Sequence, residues 1–191
     1  VVLADAADLG VAVPGVSTAA VCAPLDPAWQ ADEFARAFDR LEARALLVVE
    51  GSLTPAVEVA AARGLDLVVL QRDAATGLLV LPTHDESPVE APAPADVMLA
   101  LQTSGTTGTG RVVRLSHANV TAATAAIASV LQLSPEDRCL LVMPLFHIHG
   151  LSALFATLAT GGTAICPPRF TREDAGAWLR TYRPTWYTAS P

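Results

Sequence analysis

The sequence predicts an α/β protein in which mainly parallel sheets are flanked by helices. Short apolar strand patterns alternate with helical patterns along the chain, and this alternation is typical of parallel sheets covered by helices. With 191 residues, of which 52% are hydrophobic and 16% charged, the chain is long enough to bury a core. Its uninterrupted apolar runs fall far short of the roughly 18 residues that a membrane span needs, so we expect no membrane span.

The first half of the chain shows this alternation. Residues 31–43 place Phe34, Phe38 and Leu41 on one helical face, which predicts an amphipathic helix. The elements expected after it are a strand at Ala45–Val49, a helix near 55–63 and a strand at 65–70.

Residues 83–96 differ in composition from both flanks. The stretch THDESPVEAPAPAD is rich in Pro and acidic residues and has no periodic apolar pattern. We interpret it as a linker. It divides the chain into a first α/β segment at 1–82, the linker at 83–96 and a second α/β segment at 97–191 that holds a Gly-rich loop.

The second segment continues the alternation around two polar motifs. A strand at 97–103 runs into the Gly-rich loop and extended structure resumes at 112–115, so we expect the loop between two strands. The later elements expected are a helix at His117–Leu131, a strand at 139–143, a helix at 151–159, a strand at 163–166, a helix with Thr171 and Asp174 as capping pair, and a strand at 185–188.

Charge and cysteine content exclude several classes of partner. The net charge is −7 and the 12 basic residues are all Arg without a basic cluster, which argues against nucleic acid and anionic membranes as partners.

Cys22, Cys139 and Cys166 lie far apart in apolar surroundings, so we expect buried thiols in a reducing compartment. The first residues lack the basic segment of a secretory signal, and the cytoplasm is the expected location.

The stretch LQTSGTTGTGR, residues 101–111, has the composition of a phosphate-binding loop. Its glycines allow backbone conformations with positive φ, in which successive N–H groups can converge on an anion. Hydroxyl groups add neutral donors, and one guanidinium adds a forked positive charge suited to phosphate oxygens. A plain flexible turn is the alternative, but such turns seldom follow a buried strand with so many donors. The candidate contacts are Thr103, Ser104, Gly105, Thr106, Thr107, Gly108 and Arg111.

A P-loop of the NTPase type is a competing interpretation of this stretch. The segment from Gly105 to Arg111 nearly fits GxxxxGK[ST], but Arg111 replaces Lys and Val112 replaces the hydroxyl that binds magnesium. A P-loop also opens directly into a helix, whereas the VVRL that follows the loop predicts a strand. The sequence therefore favours a different kind of phosphate loop.

Four motifs in order along the chain, TSGTTGTGR, HANV, PLFHIHGL and TWYTASP, resemble the adenylate-forming superfamily. This superfamily contains acyl-CoA synthetases, firefly-type luciferases and the adenylation domains of peptide synthetases. A fainter likeness extends to residues 19–48, so the resemblance covers most of the chain. TWYTASP is similar to the segment that shapes the acyl pocket in synthetases for short carboxylic or dicarboxylic acids, including the oxalate-type ligases.

The resemblance implies ATP-dependent activation of a carboxylic acid to an acyl-adenylate, followed by transfer to coenzyme A, with Mg²⁺ as a further cofactor. In such enzymes the Ser/Thr/Gly loop holds the β- and γ-phosphates. The residues that correspond to it here are Thr103, Ser104, Gly105, Thr106, Thr107 and Gly108, followed by Arg111. The superfamily commonly has Pro-Lys-Gly where this chain has Gly110, Arg111 and Val112. The metal ligand is expected outside this chain.

PLFHIHGL supplies the remaining candidates. In the family, the residue at the place of His147 lines the acyl pocket and the thiol tunnel, so the resemblance implies a pocket wall or gate rather than a base for His147. For His149, a ligand role and a hydrogen bond to loop backbone are both open. We do not expect the two imidazoles to bind a metal, because Cys, Asp and Glu partners are not nearby in the sequence.

Elements that the superfamily places later in the chain are not found in this sequence, among them the ribose-binding aspartate and the C-terminal domain with its catalytic lysine. One hypothesis is therefore a part of the N-terminal domain of an acid–thiol ligase, inactive alone. The alternative is a degenerate nucleotide-binding or scaffold module that does not catalyse, which Arg111 in place of Lys would fit. The acid, the thiol acceptor and the formation of a homo-oligomer stay open.

Overall fold

The computed structural model describes residues 1–81, 90–103, 111–167 and 172–190. Its helices are α1 (Ala6–Ser17), α2 (Ala31–Leu41), α3 (Pro55–Ala62), α4 (His117–Leu131), α5 (Ile148–Ala159) and α6 (Arg172–Tyr182). Its strands are β1 (Ala45–Val49), β2 (Asp66–Arg72), β3 (Leu79–Val80), β4 (Val97–Gln102), β5 (Val112–Ser116), β6 (Arg138–Leu140), β7 (Thr163–Ile165) and β8 (Trp186–Tyr187). Within these ranges, no helix combines the length and the apolar character needed to cross a membrane.

The arrangement of the strands confirms the α/β prediction. Among the described residues, the strands form sheets with the orders β1-β2-β3, β4-β5 and β7-β6-β8. The pairs β1–β2, β6–β7 and β6–β8 are parallel, whereas β2–β3 and β4–β5 are antiparallel. Helices α3, α5 and α6 supply the crossover connections that parallel pairing requires.

The start of α4 agrees with the prediction for a local reason. The Ser116 hydroxyl accepts a hydrogen bond from the Asn119 N–H at 3.2 Å, and the Asn119 side chain accepts from the Ser116 N–H at 3.1 Å. This reciprocal capping fixes His117 as the first helical residue.

Several of the later boundaries differ from the expected ones, most of all at β6 and α5. β6 ends at Leu140 rather than at residue 143, and α5 begins at Ile148, three residues before its predicted start. His147 is therefore the N-cap of α5, and His149 lies in its first turn. The predicted capping residue of α6, Thr171, lies outside the described residues.

Sequence reasoning did not predict α1. The Asp5 side chain caps this helix by accepting hydrogen bonds from the N–H groups of Ala7 and Asp8 at 2.8 and 3.0 Å. The helix contains Pro14, which normally signals a break, and consists mostly of apolar or small residues without a clear period.

One apolar cluster belongs to the first segment and surrounds Phe34. The Phe34 ring is fully buried and lies 5.8 Å from the Trp29 ring and 6.0 Å from the Phe38 ring, measured between centroids. Leu46 of β1 is buried in the same cluster, and Leu41 packs against it. The helical face predicted for α2 is thus confirmed.

A second apolar cluster joins the two halves of the chain. Leu9 and Val13 of α1 pack in one cluster with Leu99 of β4, Cys139 of β6 and Leu151 of α5. The first helix therefore helps to bury strands that lie beyond the predicted linker. The division into segments stays a prediction, and part of the linker lies outside the described residues.

Candidate functional site

The Gly-rich loop leaves and re-enters one antiparallel strand pair. Gln102 of β4 pairs with Val112 of β5. Just beyond this pair, the Thr103 N–H donates to the Arg111 carbonyl at 2.9 Å, and the Arg111 N–H donates to the Thr103 hydroxyl at 3.2 Å. These bonds hold the two ends of the loop side by side.

Thr103 and Arg111 are the two predicted phosphate contacts that the structure describes, and both are exposed. Among the described side chains, no carboxylate lies within ion-pair distance of Arg111. The other predicted contacts, Ser104, Gly105, Thr106, Thr107 and Gly108, lie outside the described residues.

The strand that follows the loop contradicts the NTPase interpretation. After Arg111 the chain continues as β5, and α4 begins only at His117. A P-loop would open directly into a helix whose N-terminus holds the phosphates. The loop instead connects two strands, as predicted.

His147 lies at the start of α5, where its side chain makes no capping hydrogen bond. The ring is exposed and meets the Phe146 ring edge-on, with centroids 4.7 Å apart. Among the described side chains, none forms a hydrogen bond with the His147 imidazole that would activate it as a base. Its position suits a wall that a ligand can touch.

Gly150 allows α5 to begin close to the preceding loop. A Cβ at this position would lie 2.7 Å from the Met143 carbonyl oxygen and closer still to the carbonyl oxygen of Pro144. A larger residue would push α5 away from the loop. Gly150 therefore fixes where the first turn of α5 presents its imidazoles.

His149 connects the PLFHIHGL motif with the TWYTASP motif. Its Nε2 lies 2.6 Å from the Thr188 Oγ, and both residues are half-buried. A hydroxyl can donate or accept, so this bond is compatible with either tautomer of the imidazole. Within the described residues, the hydrogen-bond partner of His149 is thus a side chain of TWYTASP, a partner that sequence reasoning did not consider.

These motifs meet because β6 and β8 are neighbouring parallel strands. The segments that follow two parallel strands leave from the same carboxyl edge of the sheet, which is where open α/β sheets bind ligands. His147, His149 and Thr188 all follow one of these two strands. The structure therefore brings them to one edge of one sheet.

An apolar cavity of about 200 Å³ lies between α4 and α5. Its lining includes Leu115 of β5 and Ile148 and Phe155 of α5. Ile148 separates the two His residues in the sequence. The cavity thus links the strand that follows the Gly-rich loop with the helix that carries the His motif.

A polar network anchors β8 to the start of β6. The Thr185 hydroxyl donates to the Asp137 carboxylate at 2.6 Å and accepts from the Arg138 N–H at 3.0 Å. The other Asp137 oxygen accepts from the Ser134 N–H and hydroxyl at 2.8 and 3.1 Å. The hydrogen bonds from Thr185 and Ser134 hold the pKa of Asp137 below its ordinary value.

Sequence reasoning missed this network. The turn around Ser134 and Asp137 has a recognisable spacing, but Thr185 lies 48 residues from Asp137 and carries no local signal. The resemblance to TWYTASP was the clue that could have drawn attention to Thr185 and Thr188 together.

The environment of the three thiols disfavours the thiolate form. Burial raises the pKa values of Cys22, Cys139 and Cys166 to about 11. Cys22 and Cys139 are buried as predicted, whereas Cys166 is only half-buried. All three are free of disulfide bonds.

Among the described residues, no preformed cluster of protein ligands for a metal ion is found. Mg²⁺ prefers carboxylate and water oxygens, whereas the exposed Thr103 hydroxyl and Arg111 guanidinium fit phosphate oxygens.

The α/β fold, with the Gly-rich segment between two strands, is the fold of adenylate-forming enzymes. The model of the AMP-binding enzyme family matches residues 7–191. The chain therefore belongs to the AMP-binding enzyme family.

Similar proteins include two curated relatives and a solved structure. Probable CoA ligase CCL9 of Humulus lupulus is 32% identical over 182 residues, and the match covers 90% of this chain and 35% of the relative. Oxalate–CoA ligase of Arabidopsis thaliana is 32% identical over 181 residues, again with 90% of this chain and 35% of the relative covered. ATP-bound MatB from Rhodopseudomonas palustris has a TM-score of 0.76 and 22% identity, and the match covers 94% of this chain and 37% of that one. The MatB likeness shows the fold, and the chain spans 35% of the length of these curated relatives.

Proposed function

We propose that this chain carries the phosphate-contacting part of an acid–thiol ligase that forms AMP. The observation that carries the proposal is the closure of the Gly-rich loop by Thr103 and Arg111 at the end of β4 and β5. Membership of the AMP-binding enzyme family supports it, since relatives at 32% identity are named as CoA ligases.

The proposed reaction has two steps. A carboxylate oxygen of the acid attacks the α-phosphorus of ATP, the bond to the β-phosphate oxygen breaks, and pyrophosphate leaves with the electron pair. The sulfur of coenzyme A then attacks the acyl carbon, its proton is lost, and AMP leaves. Because the chain spans 35% of its curated relatives, the reaction is proposed for the full product of the native gene.

In this reaction the loop would bind the β- and γ-phosphates. The proposed contacts are Thr103, Ser104, Gly105, Thr106, Thr107, Gly108 and Arg111. Negative charge grows on the leaving pyrophosphate in the transition state, so donors placed on these oxygens accelerate the first step. Arg111 would supply the positive charge in a forked geometry, although a guanidinium is larger than an ammonium group.

His147 would form part of the acid-binding wall. Its exposed ring, held edge-on by Phe146, supports a wall role. The substrate class proposed is a short carboxylic or dicarboxylic acid. The TWYTASP segment and the relative named oxalate–CoA ligase support this class.

The test is acid-dependent exchange of labelled pyrophosphate into ATP by the native gene product with Mg²⁺. The acids would be acetate, oxalate, malonate and succinate. We expect exchange with at least one of them. Arg111→Ala should lower kcat/KM for ATP by about 10- to 1000-fold, whereas Arg111→Lys keeps the charge and should lose much less.

A matched control is Arg36→Ala, which removes an exposed Arg from α2 and should leave exchange unchanged. The proposal would be contradicted if the wild-type protein bound ATP in calorimetry but none of the four acids supported pyrophosphate exchange. That result would favour the degenerate nucleotide-binding module, for which Arg111 in place of Lys is the supporting observation.

A further inference from the structure

One hydrogen bond joins two segments that are 39 residues apart in the sequence. The distance between His149 Nε2 and Thr188 Oγ1 is 2.6 Å, slightly below the usual range for a hydrogen bond between nitrogen and oxygen. Both groups are half-buried, so water competes less for this bond than on an open surface.

Each partner is anchored by other contacts. His149 is placed by the first turn of α5, which Gly150 seats on the carbonyls of residues 143 and 144. Thr188 directly follows β8, which is paired with β6 and tied by Thr185 to Asp137. The bond between His149 and Thr188 therefore sets the spacing between two segments that are already fixed at their bases.

The bond lies on the acid side of the proposed site. Both partners follow strands of the β7-β6-β8 sheet, and Ile148, which separates His147 from His149 in the chain, lines the cavity between α4 and α5. The predicted phosphate contacts Thr103 and Arg111 instead close a loop of the separate β4-β5 sheet. A change in this bond should thus affect the acid more than ATP.

We infer that His149 is a positioning residue which, through Thr188, fixes the width of the acid-binding pocket and so helps to select the acid. The inference rests on the proposed function. His149 holds Thr188 and the backbone around it and does not itself transfer a proton. Loss of the bond lets the TWYTASP segment move relative to the His147 turn.

The experiment measures KM for the acid and for ATP in pyrophosphate exchange by the native gene product. Thr188→Val keeps the shape of the side chain but removes the hydroxyl, and Thr188→Ser keeps the hydroxyl. We expect Thr188→Val and His149→Phe each to raise KM for the acid by about threefold to tenfold, with KM for ATP unchanged. Thr188→Ser should restore most of the wild-type KM for the acid.

The double variant His149→Phe/Thr188→Val adds a direct test of coupling. If the two side chains act through one bond, its KM for the acid should be close to that of either single variant. KM does not depend on the fraction of protein that is folded, so partial unfolding of a variant would not imitate the expected result. Melting temperatures recorded in parallel report any loss of folding.

Three results would overturn the inference: an unchanged KM for the acid in both single variants, equal impairment of Thr188→Ser and Thr188→Val, or fully additive effects in the double variant. Each of these contradicts the inference while leaving the proposed function intact. Absence of exchange by the wild-type protein contradicts the proposed function, and the inference fails with it.

Discussion

In the cluster around Phe34, the contacts between α2 and β1 are apolar and follow the helical and strand periods of the sequence. At the sheet edge that carries His149, the contacts are polar and join residues 39 and 48 positions apart. Both regions use a helix of similar length, 11 residues in α2 and 12 in α5. The comparison indicates that apolar contacts stabilise the first region, whereas polar contacts between distant residues set the geometry of the candidate site.

The charged residues are also distributed unevenly between the two regions. Among the described side chains, the ion pairs Asp32–Arg36, Asp39–Arg63 and Asp8–Arg72 all lie in the first 72 residues. By contrast, α4 has no charged residue in its 15 positions. These ion pairs thus belong to the first part of the chain, whereas α4, next to the candidate site, has an uncharged surface.

The largest expected effect tests the apolar region. Phe34→Ala removes a fully buried ring with aromatic neighbours and should lower the free energy of unfolding by about 3–5 kcal/mol. Leu53→Ala is the control, because Leu53 is fully exposed and its loss should change stability by less than about 0.5 kcal/mol. Urea unfolding measures both, and equal effects would break the comparison.

The next largest effect tests the close contact between α5 and the loop that precedes it. Gly150→Ala places a Cβ against the carbonyl oxygens of Met143 and Pro144, and should cost about 1–3 kcal/mol. Gly176→Ala in α6 is the matched control, since its Cβ would meet only the flexible Arg180 Nη1 at 3.5 Å. This helical Gly→Ala change should stabilise by about 0.5–1 kcal/mol.

Opposite signs for the two glycine variants in urea unfolding would confirm that Gly150 is required for packing. The same sign for both would mean that helix propensity decides and that α5 can shift away from its loop.

Elements with a regular local pattern of apolar residues or a local capping signal were predicted well from the sequence. The face of α2, the bounds of β1 and the capped start of α4 are each specified within a few residues, and the structure has them as predicted. The helix α1 failed this test because its apolar residues show no clear period and Pro14 interrupts the pattern. Local signals thus predicted most elements and missed α1 and the short strand β3.

The candidate site was predictable only in part. The motif resemblance indicated His147, Thr103 and Arg111, but it did not supply the partner of His149. That partner follows from the parallel pairing of β6 with β8, and pairing between distant strands leaves no mark in a single sequence. Contacts of this kind need the structure.

The smallest effects concern one carboxylate from each region. Asp39 accepts two hydrogen bonds from the Arg63 guanidinium at 2.8 and 3.0 Å, whereas Asp137 accepts from the uncharged Thr185 and Ser134. These bonds hold the pKa of each carboxyl below its ordinary value of 3.8. The stability that each contributes is present above that value and is lost as the pH falls through the lower folded pKa.

Asp39→Asn and Asp137→Asn should therefore both reduce the loss of stability at acid pH. The effects of the two substitutions should differ in their dependence on salt. At about 1 M NaCl the screening length is roughly 3 Å, so the exposed ion pair of Asp39 with Arg63 is weakened in the wild-type protein. The effect of Asp39→Asn on the urea midpoint near neutral pH should shrink in salt, whereas that of Asp137→Asn should persist. If salt reduced both effects equally, the anchor of β8 would be electrostatic like the surface of the first region, and the contrast between the two regions would not extend to Asp137.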